Sequence, residues 1–144
     1  MGDRATELTG AEGPERVRTN WPLANAYQRN AERLGRSFEL FEDVPLSRAA
    51  SSDMGNVSYL VPSIHPMIRM APKGVVHHHR DFAIWSASDE GMRAVTDGAT
   101  ALAMTAIDFM IDDNFRREVR SAFRAISDSL PGEHRKSAPS ATLD

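Results

Sequence analysis

Residues 93–111, RAVTDGATALAMTAIDFMI, constrain the fold more than any other stretch of the chain. Val95, Ala99, Leu102, Ala106, Phe109 and Met110 recur at three- and four-residue spacings, so a helix here carries one apolar stripe. Ala99, Ala101, Ala103 and Ala106 raise helix propensity and let a neighbour approach closely. Asp112 and Asp113 can stop this helix and cap another over about residues 115–130. In that second helix Phe115, Val119, Ala122, Phe123 and Ile126 share a face, and Arg116, Arg117, Glu118, Arg120 and Arg124 point to water. Pro131 and Gly132 end it. Two amphipathic helices in succession need a layer to pack against.

The upstream residues are expected to supply part of that layer. A helix is predicted over about residues 22–34, with Asn20 as cap, Pro22 in the first turn and Gly35 just past the end. Its apolar face is Leu23, Ala26, Tyr27, Ala31 and Leu34; Arg29, Asn30, Glu32 and Arg33 form its polar face. Residues 37–41 (SFELF) alternate and predict a short strand, followed by a loop over 42–52. Residues 53–61 (DMGNVSYLV) fit either a strand or a short buried helix stopped by Pro62, and the available caps favour the helix. Residues 64–70 (IHPMIRM) predict a strand running into a turn at Pro72, Lys73 and Gly74. The expected class is α/β, helix-rich with a few short strands. Residues 1–14 are expected to be a flexible lead-in, 15–130 the folded part, and 131–144 a disordered tail.

Composition narrows the function. The 144 residues suit one domain. Lys and Arg number 17 against 20 Asp and Glu, a net charge of −3, which argues against a nucleic-acid partner. With no Cys there are no disulfides, thiolate metal sites or Cys nucleophile. No apolar run is expected to span a membrane, and the first 20 residues hold no apolar signal core. The expected compartment is the cytoplasm.

Three features could carry chemistry. His77, His78 and His79 follow the Gly-containing turn, and neutral imidazole is a common zinc ligand. On a regular strand neighbours alternate faces, so His77 and His79 could converge, or His78 act alone. Taken without context, a polar surface loop is the preferred reading of the triplet. Ser51 to Asn56 (SSDMGN) offers backbone donors and an Asp entering a helix, which a plain helix cap also explains. Arg116, Arg117, Arg120 and Arg124 could meet a phosphate or an acidic partner, but they also fit the wet face of an amphipathic helix. His65 and His134 are isolated, and neither an HExxH nor a GxSxG pattern occurs.

Residues 51–68 (SSDMGNVSYLVPSIHPMI) resemble a late segment of the zinc-dependent amidohydrolases and metallopeptidases of the aminoacylase and carboxypeptidase G type. The closest subgroup is that of p-aminobenzoyl-glutamate hydrolase and the peptidase-domain dipeptidases. Its Ser-Thr/Ser-Asp-x-Gly-x-Val-Ser-x-x-Val-Pro run is matched by Ser52, Asp53, Gly55, Val57, Ser58, Val61 and Pro62. Residues 98–108 (GATALAMTAID) resemble the family's closing helix, and 20–24 (NWPLA) its re-entry into the catalytic domain. Together these cover about residues 15–128.

The resemblance implies the C-terminal portion of an α/β zinc-exopeptidase-like catalytic domain. It implies two zinc ions in the intact enzyme, with one late His ligand that falls on His78; His77 and His79 are register alternatives. Asp53 and Asn56 would lie on the substrate side or shape its loop. The family's His-x-Asp strand, Glu-Glu base and lid domain have no counterpart in these 144 residues. One imidazole neither clamps two metals nor takes a proton from water. The expected function is therefore that of a fragment, inactive alone, needing the missing N-terminal half or a complementary chain to hydrolyse an N-acyl amino acid or dipeptide-like amide. The alternative is a non-catalytic helical interaction module, or a degraded remnant of such an enzyme.

Overall fold

The computed structural model of the chain describes residues 17–38, 54–75 and 78–128. Asn20 starts the first helix, α1 (Trp21–Arg33): its Oδ1 accepts the Leu23 N–H at 3.3 Å, and Pro22 sits in the first turn. Gly35 ends it with φ +83°, while the N–H groups of Gly35 and Arg36 bond back to the carbonyls of Glu32 and Ala31 at 2.9 and 3.1 Å. That pair of bonds needs a left-handed residue, which glycine supplies without strain.

Two short helices follow, α2 (Met54–Ser58) and α3 (Arg80–Ser86), then two long ones, α4 (Asp89–Ile111) and α5 (Asp113–Asp128). The sequence reading contains no α3 and starts α4 four residues late. Ser88 caps α4, accepting the Gly91 N–H at 3.2 Å, and Asp89 and Glu90 lie in the first turn where the helix dipole favours them. Asp112 caps α5 as expected, its Oδ1 accepting the N–H groups of Asn114 and Phe115 at 2.8 and 3.1 Å. Arg116, assigned above to a wet face, is instead half-buried. It donates to the Phe109 carbonyl at 3.0 Å and to that of Met110, satisfying the C-terminal end of α4, and it pairs with Asp113.

Helices α1, α4 and α5 pack on one another, and α3 lies on α4. Ala26, Phe115 and Val119 form one core, flanked by Leu23 and Phe109. Tyr27, Ala31 and Ala101 form the other, flanked by Leu34, Phe38 and Ile64. Asn20, 1 % exposed, ties three segments: its Nδ2 donates to the Val119 carbonyl at 2.9 Å and its backbone N–H to the Ser63 carbonyl at 2.9 Å. The Asn30 side chain, placed above on the polar face, is buried and donates to Thr105 Oγ1 at 3.1 Å and Asp108 Oδ2 at 2.9 Å. Buried polar groups need such partners.

Helix α4 turns its small residues inward. Gly91, Ala94, Ala101 and Thr105 are buried, whereas Val95, Leu102 and Met110 of the expected stripe are 65 %, 47 % and 63 % exposed. Close approach to α1 favours small side chains, so the large apolar ones are left on the outside. At 23 residues α4 is also long and apolar enough to cross a membrane by length and composition, which corrects the expectation that no run approaches that size. Three of its acids are tied to the rest of the bundle, Glu90 by its pair with Arg36 at 3.0 Å. Arg36 Nε donates to Asp97 Oδ2 at 2.8 Å, and Asp108 accepts from Asn30.

The strand expectations need correction. Among the described residues the only ladder contact is a single parallel bridge between Thr19 and Ser63. Ser37 and Phe38 are in no strand, and residues 39–41 lie outside the described residues. Residues 64–70 alternate between half-buried and exposed, the period of a strand, but form no strand ladder among the described residues. A strand's backbone bonds come from a neighbouring strand, and no described segment supplies one. Helix-rich is thus the architecture seen.

The buried Tyr27 hydroxyl has its pKa raised above the ordinary 10.0 by burial, against a smaller opposite pull from Arg36. The unfolded chain therefore releases this proton first. Tyr27's contribution to stability is complete below about pH 10 and declines as pH rises toward its native value. Melting curves at pH 9 and pH 11 check this: wild type should lose more stability between them than Tyr27→Phe.

Candidate functional site

The turn predicted at Pro72–Gly74 is present, with Gly74 at φ +99° and the Val75 N–H bonded to the Pro72 carbonyl at 3.3 Å. His77 lies outside the described residues. His78 stands exposed at φ +63°, the only non-glycine in the left-handed region among the described residues. Such a backbone costs a side-chain-bearing residue about 1 kcal/mol, and His tolerates it better than most. No hydrogen bond or ion pair is seen for the His78 side chain among the described residues.

His79 has a different task. It caps α3, its Nδ1 accepting the Asp81 N–H at 3.3 Å with Asp81 Oδ2 3.2 Å away. The helix that follows is seated on α4 through Gly91: a Cβ there would stand 2.4 Å from the Trp85 carbonyl oxygen and 2.7 Å from that of Ser86. Ser88 Oγ also donates to the Trp85 carbonyl at 2.6 Å. The His78 turn thus leads into a short helix whose seat needs a glycine.

Of the other sequence-derived candidates, Asn56 is exposed on α2 and Asp53 lies outside the described residues. Ser58, in the same run, is structural: it is buried, donates to the Gly55 carbonyl at 2.5 Å and accepts the Arg18 N–H at 2.9 Å. The Arg18 guanidinium in turn lies 3.7 Å from the centre of the Tyr59 ring.

Open clefts lie on two sides of the described residues. One, of about 340 Å³, runs between residues 35–38, residues 67–72, Trp85 and Glu90. At its side Arg36 pairs with Glu90 at 3.0 Å and Asp97 at 2.8 Å and donates to the Arg69 carbonyl at 3.1 Å. Its charge is therefore already balanced by two carboxylates. The other, of about 360 Å³, is lined by Arg29, Asn30, Arg33, Asp108 and Glu118 among others. Neither is lined by His78 or Asn56. The Arg36 and Asn30 clusters went unnoticed in the sequence; their one signal is a polar residue at an inward helical position.

Zinc is the metal that the sequence resemblance implies. A zinc site takes at least three protein donors, usually four in a closed site. Among the described residues no three His, Asp or Glu come together in a way that could hold a metal ion. The exposed imidazoles of these residues, His65, His78 and His79, do not form a zinc site by themselves.

Comparison with known proteins gives the chain its context. It is 33% identical over 116 residues, 80% of its length, to the Xaa-Arg dipeptidase of Homo sapiens. It is 33% identical over 106 residues to the Xaa-Arg dipeptidase of Mus musculus. The chain resembles a peptidase family. No family model and no solved structure matches it. The peptidase-like chain spans about a quarter of these relatives, 26% of the human protein and 24% of the mouse one. The human match takes in 80% of the chain, so the likeness is not confined to one helix.

Proposed function

We propose that this peptidase-like chain is the C-terminal portion of a zinc-dependent amidohydrolase or dipeptidase, inactive alone, whose substrate is a dipeptide-like amide or an N-acyl amino acid. The observation that supports this is the pairing of 80% of the chain with 26% of a dipeptidase. In this reading His78 gives one imidazole to a metal. The remaining ligands and the base that takes the proton from water belong to the rest of the catalytic domain, since two-metal hydrolysis needs both. His78's exposure suits a group that reaches outward to a partner.

Reconstitution tests the proposal. The human Xaa-Arg dipeptidase lacking its matched quarter is co-expressed with the 144-residue chain, and hydrolysis of an Xaa-Arg dipeptide is assayed with zinc and with a chelator. Activity that needs both polypeptides and zinc is the expected result. Turnover by the 144-residue chain alone, or none from the pair, would overturn the proposal.

A further inference from the structure

The cleft of about 360 Å³ between α1 and the junction of α4 with α5 holds opposite charges that do not neutralise one another. Arg29 and Arg33 line it from α1, and Asp108, Asp112 and Glu118 line it from the other two helices and their junction. Among the described residues no ion pair joins either guanidinium to any of these carboxylates. The reason is visible for two of them. Asn30 Oδ1 accepts from Arg33 Nη1 at 3.3 Å, and Asn30 Nδ2 donates to Asp108 Oδ2 at 2.9 Å. One amide thus holds a cation and an anion at the same cleft without letting them meet. That amide is itself fixed: Asn30 is 1 % exposed and also donates to Thr105 Oγ1 at 3.1 Å. Asp112 is held as well, by its cap on α5. For the exposed Arg29 and Glu118 side chains no hydrogen bond or ion pair is seen among the described residues.

We propose that this cleft binds a free basic α-amino acid. Its walls carry two cations against three anions, one negative charge in excess. The complementary ligand therefore carries both signs, with one positive charge more than negative. A plain cation would leave both guanidiniums unmatched and set beside a like charge. A plain anion would do the same to the three carboxylates. A basic amino acid satisfies both sets: its carboxylate accepts from the arginines, and its α-ammonium and side-chain cation donate to the acids. Its methylene stem can lie on Phe115 and Ile111, which give the cleft its apolar surface. The volume is at the lower end of the range for small-molecule sites. Concave walls also strengthen the field that such a ligand meets. The site does not depend on the function proposed above. Asp108 lies about 25 Å along α4 from Gly91, the seat of the helix that follows His78.

The test is an NMR titration of the isotope-labelled 144-residue chain with L-arginine, and then with L-lysine. Saturable binding is expected for both, with amide shifts clustered at Arg29, Asn30, Asp108 and Glu118. L-Argininamide, which lacks the carboxylate, and Nα-acetyl-L-arginine, which lacks the α-ammonium, should each bind about fivefold more weakly or worse. Arg29→Gln and Glu118→Gln should each cost L-arginine about the same factor. Both residues are exposed, so circular dichroism of these variants should match wild type. Arg120→Gln, which alters an exposed arginine of α5 outside the cleft, should leave binding unchanged. The absence of saturable binding, or shifts centred elsewhere, would overturn the proposal. So would Arg29→Gln and Glu118→Gln proteins that bind L-arginine as tightly as wild type. L-Argininamide binding as tightly as L-arginine would make the cleft a plain cation site and overturn it too.

Discussion

In the reconstituted pair, His78→Ala is expected to lower kcat/KM by about 100-fold or more and to reduce bound zinc. Loss of partners that merely orient a metal ligand already costs about 10–100-fold in affinity or activity, and a ligand should cost at least the upper end. His79→Ala should behave differently. It removes the α3 cap, in which Nδ1 accepts the Asp81 N–H at 3.3 Å, and a lost cap costs about 1 kcal/mol of local stability. Activity should then fall only a few-fold, with zinc content unchanged. Kinetics and metal analysis of the His77, His78 and His79 variants side by side separate the three positions. A large loss at His77 or His79 moves the ligand to that residue. Three variants with full zinc and full activity would end the metal role of this turn.

Local signals in the sequence were read well where a single side chain sets the backbone. Asn20 and Gly35 bracket α1 within one residue of the expected ends, and Asp112 caps α5 as anticipated. Helix α3 escaped because it is only seven residues long, and its cap is a histidine, a residue seldom read as one. The start of α4 was placed four residues late, beyond Gly91. The structure uses it for contact with the carbonyls of Trp85 and Ser86.

The inward side of α4 was the larger misreading. Periodicity selects the bulky stripe through Val95, Leu102 and Met110, and α1 packs instead on the small face. Periodicity reports which residues avoid water and says nothing of the partner that covers them. The same limit applies to residues 64–70, whose alternation was legible while its pairing depends on a neighbour that no described residue provides. For the candidate site, sequence placed an imidazole after a turn. Its left-handed backbone and the capping role of His79 needed three dimensions.

Asn20→Ala is expected to destabilise the chain by about 2–3 kcal/mol, roughly 1 for the helix cap and the rest for the lost bond and the void left in a closed site. For a domain of this size that lowers Tm by about 10 °C. Asn20→Asp is the more telling substitution. At an exposed N-cap, Asp and Asn are nearly equivalent, and the helix dipole favours the acid. Asn20 is 1 % exposed, however, and its Nδ2 donates to the Val119 carbonyl at 2.9 Å across 99 residues of chain. A carboxylate there sets a buried negative charge against a carbonyl oxygen, with no donor between them. The Asp variant should therefore be at least as unstable as the Ala variant, although its cap is intact. Urea titrations of the three proteins measure the difference. An Asp variant as stable as wild type would show that the tie to α5 carries no weight. In that case α1 would be held by its apolar face, through Ala26, Tyr27 and Ala31, and by the Asn30 bonds to Thr105 and Asp108.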